Sequence, residues 1–129
     1  LATKDGVTPA FVAAQDGQTA ALALLVKAGC CVNQANKNNA TPAIAAAYYG
    51  RTAALKILVK AGCDVNQAQK NGETAAFLAA REGHAAALAL LVKAGCCVNQ
   101  ANKNNATPAI AAAYYGRTAA LKILVKAGC

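Results

Sequence analysis

Residues 20–63 read AALALLVKAGCCVNQANKNNATPAIAAAYYGRTAALKILVKAGC, and the same 44 residues recur without a change as residues 86–129. Within this offset of 66 residues, the sequence also matches itself at a period of 33. Self-similarity at a fixed period of roughly 20 to 50 residues is typical of repeat proteins. The sequence therefore predicts stacked units rather than a domain built around one centre.

The period divides residues 1–129 into one array of four units. The units cover residues 4–36, 37–69, 70–102 and 103–129, and residues 1–3 align with Gln34, Ala35 and Asn36, so they read as the tail of a preceding unit. We therefore expect both ends of the chain to lie inside an array. Odd units carry Ala-Leu-Ala-Leu-Leu, whereas even units carry Tyr-Tyr-Gly-Arg.

Local signals within a unit predict two short helices. Thr41 can cap the first helix through its hydroxyl, and Pro42 fits the first helical turn. This helix should end near Gly50. A second helix is predicted from about Thr52 to Ala61, and it should stop at Gly62 because glycine tolerates the left-handed conformation of a helix end. Leu55 and Leu58 should share the inner face of this helix.

The segment between units predicts a tight turn. Asn71-Gly72 supplies the positive backbone angles that such a turn needs. Asp5-Gly6, Asn38-Asn39 and Asn104-Asn105 occupy the equivalent positions. Helices of roughly 8 to 10 residues are unstable alone in water, so each must be held by its neighbours.

The motifs Thr-Pro-Ala, Ala-Ala-x-x-Gly, Leu-Leu-Val-Lys-Ala-Gly-Cys and Val-Asn-Gln-Ala closely resemble the ankyrin repeat across the whole chain. The resemblance implies an all-α solenoid of stacked helix-turn-helix units joined by β-hairpin-like loops. Its expected function is to bind another protein without catalysis. One departure is that Phe11, Ile44, Phe77 and Ile110 stand where the family has a histidine that bonds neighbouring loops. We expect apolar contact to replace that polar network.

The resemblance also implies a concave groove in which a partner binds, formed by the hairpin tips and the ends of the first helices. The tip positions are Lys4, Asp5, Val7, Lys37, Asn38, Ala40, Lys70, Asn71, Glu73, Lys103, Asn104 and Ala106. The helix-end positions are Gln15, Asp16, Tyr48, Tyr49, Arg81, Glu82, Tyr114 and Tyr115.

The two tyrosine pairs are the most suggestive of these residues. Tyrosine offers a large contact area at little cost in entropy and is enriched at binding hot spots. The alternative is that one tyrosine of each pair packs against the next unit, which leaves the other ring partly exposed. Lysines 4, 37, 70 and 103 form a basic column, and its simpler interpretation is a solvated edge.

The net charge of +8 favours a partner that carries negative charge, although the lysines could simply keep an alanine-rich array in solution. Nucleic-acid binding is disfavoured, because Lys56, Lys60, Lys122 and Lys126 place basic residues on the second helices as well as at the tips.

No apolar run is long enough to cross a membrane. The chain has no serine, and its one histidine, His84, falls in a turn, so a hydrolase triad cannot be assembled. The sequence predicts neither an enzyme nor a cofactor.

The six cysteines favour neither disulfides nor a metal site. Equivalent cysteines lie one unit apart, and a stacking distance of about 10 Å exceeds the roughly 7 Å limit for a bridge. The pairs Cys30-Cys31 and Cys96-Cys97 lack the spacing of zinc ligands. We expect small buried thiols in an intracellular reducing compartment.

A structural function is the main alternative to partner binding. Uncapped units of identical sequence could stack end to end into filaments.

Overall fold

A computed structural model describes residues 6–128 of the chain, and these residues form eight helices. In chain order they are α1 (Pro9–Gln15), α2 (Thr19–Lys27), α3 (Pro42–Tyr49), α4 (Thr52–Lys60), α5 (Ala75–Glu82), α6 (Ala85–Lys93), α7 (Pro108–Tyr114) and α8 (Thr118–Lys126). Between residues 6 and 128 the only strand-like pairing is an isolated antiparallel bridge between Ala68 and Thr74. The predicted all-α fold is confirmed.

The helices form two layers. Helices α1, α3, α5 and α7 pack side by side in one layer, and α2, α4, α6 and α8 pack side by side in the other. Each unit contributes one helix to each layer, and its two helices also pack against each other. The 33-residue period is therefore the spacing of a stacked array.

Each first helix begins at a threonine cap. In all four units the threonine hydroxyl accepts a hydrogen bond from the backbone amide three residues later, at 3.2 to 3.3 Å. Thr41 and Pro42 occupy the predicted positions at the start of α3. The helix ends at Gly50, whose φ of 70° is left-handed. A Cβ at Gly50 would lie 2.6 Å from Nδ1 of His84, so a side chain has no room there.

Alanine determines how closely the first helices approach. In α3, six consecutive residues, Pro42 to Ala47, are buried, so this helix is covered on all sides. Helices α1 and α5 flank it and α4 packs behind it. Leu55 and Leu58 of α4 are fully buried in the same cluster, as predicted for its inner face.

The turns between units follow the predicted chemistry. Asn39 and Asn105 both have a φ of 64°, and Gly72 has a φ of 84°. Adjacent turns are also linked, because the amide of Lys70 donates to the Asn38 carbonyl at 3.0 Å and that of Lys103 to Asn71 at 3.0 Å. Of the predicted Asp5-Gly6 turn, Asp5 lies outside the described residues.

At the position of the family's histidine, Ile44 and Phe77 are buried in the apolar core, as expected, but polar bonds between units are also present. Arg51 Nε donates to the Gln15 carbonyl at 3.0 Å, and Arg117 Nε donates to the Arg81 carbonyl at 2.9 Å. At the equivalent position, Nε2 of His84 lies 3.0 Å from the Tyr48 carbonyl oxygen. Each bond joins the residue before a second helix to the end of the first helix in the preceding unit. Side chains at a different position of the repeat therefore supply the polar links.

Ile44 and Ile110 lie in identical sequence but in different surroundings. Ile44 is 3% exposed, because the third unit covers it, whereas Ile110 in the last unit is 53% exposed. The difference comes from position in the stack alone, since residues 20–63 and 86–129 are identical.

Replacing each isoleucine by alanine should distinguish the contribution of stacking to stability from the contribution of the helix itself. We expect Ile44→Ala to lower the free energy of unfolding by about 2 to 4 kcal/mol, because it leaves a cavity between units. Ile110→Ala in the same 129-residue chain should cost less than about 1 kcal/mol. Urea denaturation followed by circular dichroism measures both values. Equal losses would contradict the view that the contact between units, rather than the helix itself, carries the stability.

Candidate protein-binding groove

A groove of about 290 Å³ crosses the first three units. It is lined by turn residues and by the first helices, namely Phe11, Gln15, Asn36, Asn38, Ala40, Ile44, Ala45, Tyr48, Tyr49, Gln69, Asn71, Glu73, Leu78 and Arg81. The arrangement follows from the stack, because turns and first-helix ends of successive units come side by side.

Eight of the predicted positions line this groove: Gln15, Asn38, Ala40, Tyr48, Tyr49, Asn71, Glu73 and Arg81. Ten others are described outside its lining: Val7, Asp16, Lys37, Lys70, Glu82, Lys103, Asn104, Ala106, Tyr114 and Tyr115. Lys4 and Asp5 lie outside the described residues.

Sequence reasoning missed six lining residues: Phe11, Asn36, Ile44, Ala45, Gln69 and Leu78. Asn36 and Gln69 immediately precede the tip lysines, so their place in the repeat could have indicated them. Phe11 and Ile44 were interpreted only as contacts between units, although both also border the groove.

Tyr48 and Tyr49 form an edge-to-face pair with ring centroids 4.8 Å apart. They are 38% and 46% exposed, and Gln15 Nε2 donates to the Tyr49 hydroxyl at 3.5 Å. Tyr114 and Tyr115 form a similar pair at 5.0 Å, with 81% and 53% exposure. Tyr48 and Tyr49 are therefore both partly exposed, and the Tyr48 ring also faces Arg81 of the next unit.

Arg81 is the charged centre of the groove. Its Nη1 lies 3.2 Å from a carboxylate oxygen of Glu73, and its Nε lies 3.0 Å from one of Glu82. The guanidinium carbon is 5.9 Å from the ring centroids of both Tyr48 and Phe77, a cation-π distance. Two carboxylates therefore offset this cation, and no lysine lines the groove.

The described cysteines are all free, but the expectation that they are buried was wrong. Cys31 and Cys97 are exposed, whereas Cys30, Cys63 and Cys96 are half-buried. Burial raises the pKa of the Cys63 thiol to about 11, and the Asp64 carboxylate adds to this effect. Burial likewise raises the pKa of Cys96 to about 11, with a smaller contribution from Cys97. Residues 6–128 hold no cluster of three or more His, Cys, Asp or Glu that could bind a metal.

Alkylation should distinguish these thiols. At pH 8 a thiol with a pKa of about 11 is ionised in roughly one molecule in a thousand, and only the thiolate reacts. We expect iodoacetamide to modify Cys31 and Cys97 at least about tenfold faster than Cys63 in the folded protein. Tandem mass spectrometry of the tryptic peptides gives the rates, and denatured protein is the control. A Cys63 that reacts as fast as Cys31 before denaturation would contradict the assignment.

Stacked helix pairs with a groove along their turns define a class, the α-helical repeat proteins that present an extended binding surface. The family description "Ankyrin repeats (3 copies)" matches residues 1–69 and again residues 61–129. The chain belongs to the ankyrin repeat family. A search of the curated proteins found no significant match. None of the helices between residues 6 and 128 has both the length and the apolar character needed to span a membrane. Ankyrin repeats generally serve as non-catalytic modules for protein–protein interaction.

Proposed function

We propose that the chain binds a segment of another protein in the groove, with Tyr48 and Tyr49 as the main contacts. The observation that carries this proposal is the exposed edge-to-face tyrosine pair at the groove wall. Exposed aromatic rings held by a rigid scaffold lose little entropy on binding and offer a large contact area. The family's general role in protein–protein interaction supports the same conclusion.

The chemistry of the lining indicates what the partner presents. The amide side chains of Asn38, Gln69 and Asn71 offer donors and acceptors that suit a peptide backbone. Within the groove, the carboxylates around Arg81 leave little net positive charge. The exposed tip lysines, such as Lys70, would act at longer range by attracting a negatively charged partner.

Residues outside the groove remain part of the proposal in a secondary role. Lys103, Asn104, Ala106, Tyr114 and Tyr115 would extend the contact along the fourth unit for a longer partner. A partner in an intracellular reducing compartment is consistent with the free thiols.

A peptide selected from a random display library against the groove tests the proposal. We expect Tyr48→Ala/Tyr49→Ala to weaken binding of this peptide by at least about 30-fold, because each hot-spot tyrosine contributes on the order of 1 kcal/mol or more. Fluorescence anisotropy with the labelled peptide measures the affinity.

The repeat supplies a matched comparison, since Tyr114→Ala/Tyr115→Ala changes the same sequence outside the groove lining. This variant should weaken the affinity for a short peptide much less than Tyr48→Ala/Tyr49→Ala does. Circular dichroism checks that both variants stay folded. Equal losses for the two variants, or no loss for either, would refute the assignment of the binding site to this groove.

A second candidate function is end-to-end self-association, and one observation favours it. In a chain of these 129 residues Ile110 and Val125 are 53% and 63% exposed, while the equivalent Ile44 is covered by the third unit and Val59 is half-buried against it. The first unit of a second copy resembles the third unit closely, since 25 of 33 positions are identical between residues 4–36 and 70–102. A second copy could therefore repeat on the fourth unit the contact that the third unit makes on the second.

Sedimentation velocity over a range of concentrations tests self-association. We expect the 129-residue chain to form longer species as concentration rises, and Ile110→Glu to abolish them by placing a charge in the apolar contact. Ala119→Glu is the control, because the equivalent Ala53 stays exposed inside the array. A chain that remains monomeric at every concentration rules out this function.

A further inference from the structure

The second-helix layer presents a surface that is cationic and contains no carboxylate. Helices α2, α4, α6 and α8 carry six lysines and no Asp or Glu, and all six lysines are exposed. We call this surface the lysine face; its lysines are Lys27, Lys56, Lys60, Lys93, Lys122 and Lys126. Among the described residues, no ion pair involves any of these lysines. Most of the chain's excess positive charge is therefore concentrated here rather than in the groove.

Helix stability explains only part of this pattern. Lys27, Lys60, Lys93 and Lys126 are the last residues of their helices, where a cation interacts favourably with the helix dipole. Lys56 and Lys122 lie one turn earlier, at exposed positions where leucine-rich odd units have alanine.

Apolar grooves run between the lysines. A groove of about 240 Å³ between α4 and α6 is lined by Val59, Leu90 and Ala94 and by the stems of Lys56, Lys60 and Lys93. A second groove, of about 370 Å³, lies between α6 and α8, where Val92 and Ile123 are flanked by Lys93 and Lys126. The surface thus alternates apolar grooves with rows of positive charge.

Between α4 and α6, the depth of the apolar residues favours a protein partner over a membrane. Binding to a lipid surface requires large apolar side chains that project outward into the bilayer. On α4 and α6 the exposed positions are alanine and lysine, and Val59, Leu90 and Val92 are half-buried in the grooves. A ligand must therefore project its own apolar side chains into the grooves and place carboxylates beside the lysines.

We propose that the lysine face is a second docking surface, which binds an acidic amphipathic helix of another protein. Leucine-sized side chains of that helix enter the groove between α4 and α6, and its flanking carboxylates pair with Lys56, Lys60 and Lys93. The lysine face lies on the second-helix layer, away from the protein-binding groove that Tyr48 and Tyr49 line, so the two partners can bind at the same time.

A synthetic helical peptide with leucines along one face and glutamates on both flanks is the probe. We expect Lys56→Glu/Lys60→Glu/Lys93→Glu to weaken its binding at least about tenfold, because three charge pairs become repulsive. The comparison variant Lys37→Glu/Lys70→Glu/Lys103→Glu lowers the net charge equally but changes the turns. It should weaken binding far less. Fluorescence anisotropy at two salt concentrations gives the affinities, and the triple glutamine variant of the lysine face replaces the glutamate variant if the latter does not fold.

Three results would overturn the proposal. The first is equal loss in both charge-reversed variants, which indicates attraction by net charge alone. The second is displacement of the acidic peptide by the groove-selected peptide, which places it in the turn groove. The third is absence of peptide binding together with lysine-face-dependent binding to phosphatidylserine vesicles, which assigns the surface to a membrane. Loss of binding in the lysine-face variant alone, without displacement by the groove peptide, supports the proposal.

Discussion

Contact between alanine-lined first helices is the interaction on which the rest of this structure depends. The helices have seven to nine residues, and helices this short do not persist alone in water. Methyl side chains let the backbones of neighbouring units approach closely, so that α3 is covered from Pro42 to Ala47 without interruption. The stability of each unit is therefore shared with the units beside it.

This constraint decides where function can reside. A first helix that is buried on most sides has little free surface, so a partner contacts mainly its end, the preceding turn and the few helix residues that border the groove. Tyr48, Tyr49 and Arg81 all lie at such helix ends. The second helices differ, because they bury one face through residues such as Leu55 and Leu58 and leave the other to solvent.

The sequence predicted the features that depend on local chemistry. The threonine cap at Thr41, the helix end at Gly50 and the turn at Asn39 each follow from the preferences of one or two residues, and all are present. The bond from Arg51 to the Gln15 carbonyl joins residues 36 positions apart, and its geometry exists only after units stack. The exposure of Cys31 and the place of Leu78 in the groove depend on stacking in the same way.

The odd units show how an array of near-identical repeats can still form a specific site. Residues 4–36 and 70–102 differ at eight positions, and every difference falls before the shared stretch that begins at Ala20. Two of these differences introduce Glu73 and Arg81, which form the ion pair of the groove. Beyond this point the second helices of the two odd units are identical. Between the odd units, the turns and first helices differ in sequence, whereas the lysine-bearing parts of the second helices are the same. The groove can therefore be selective while the lysine face repeats every 66 residues.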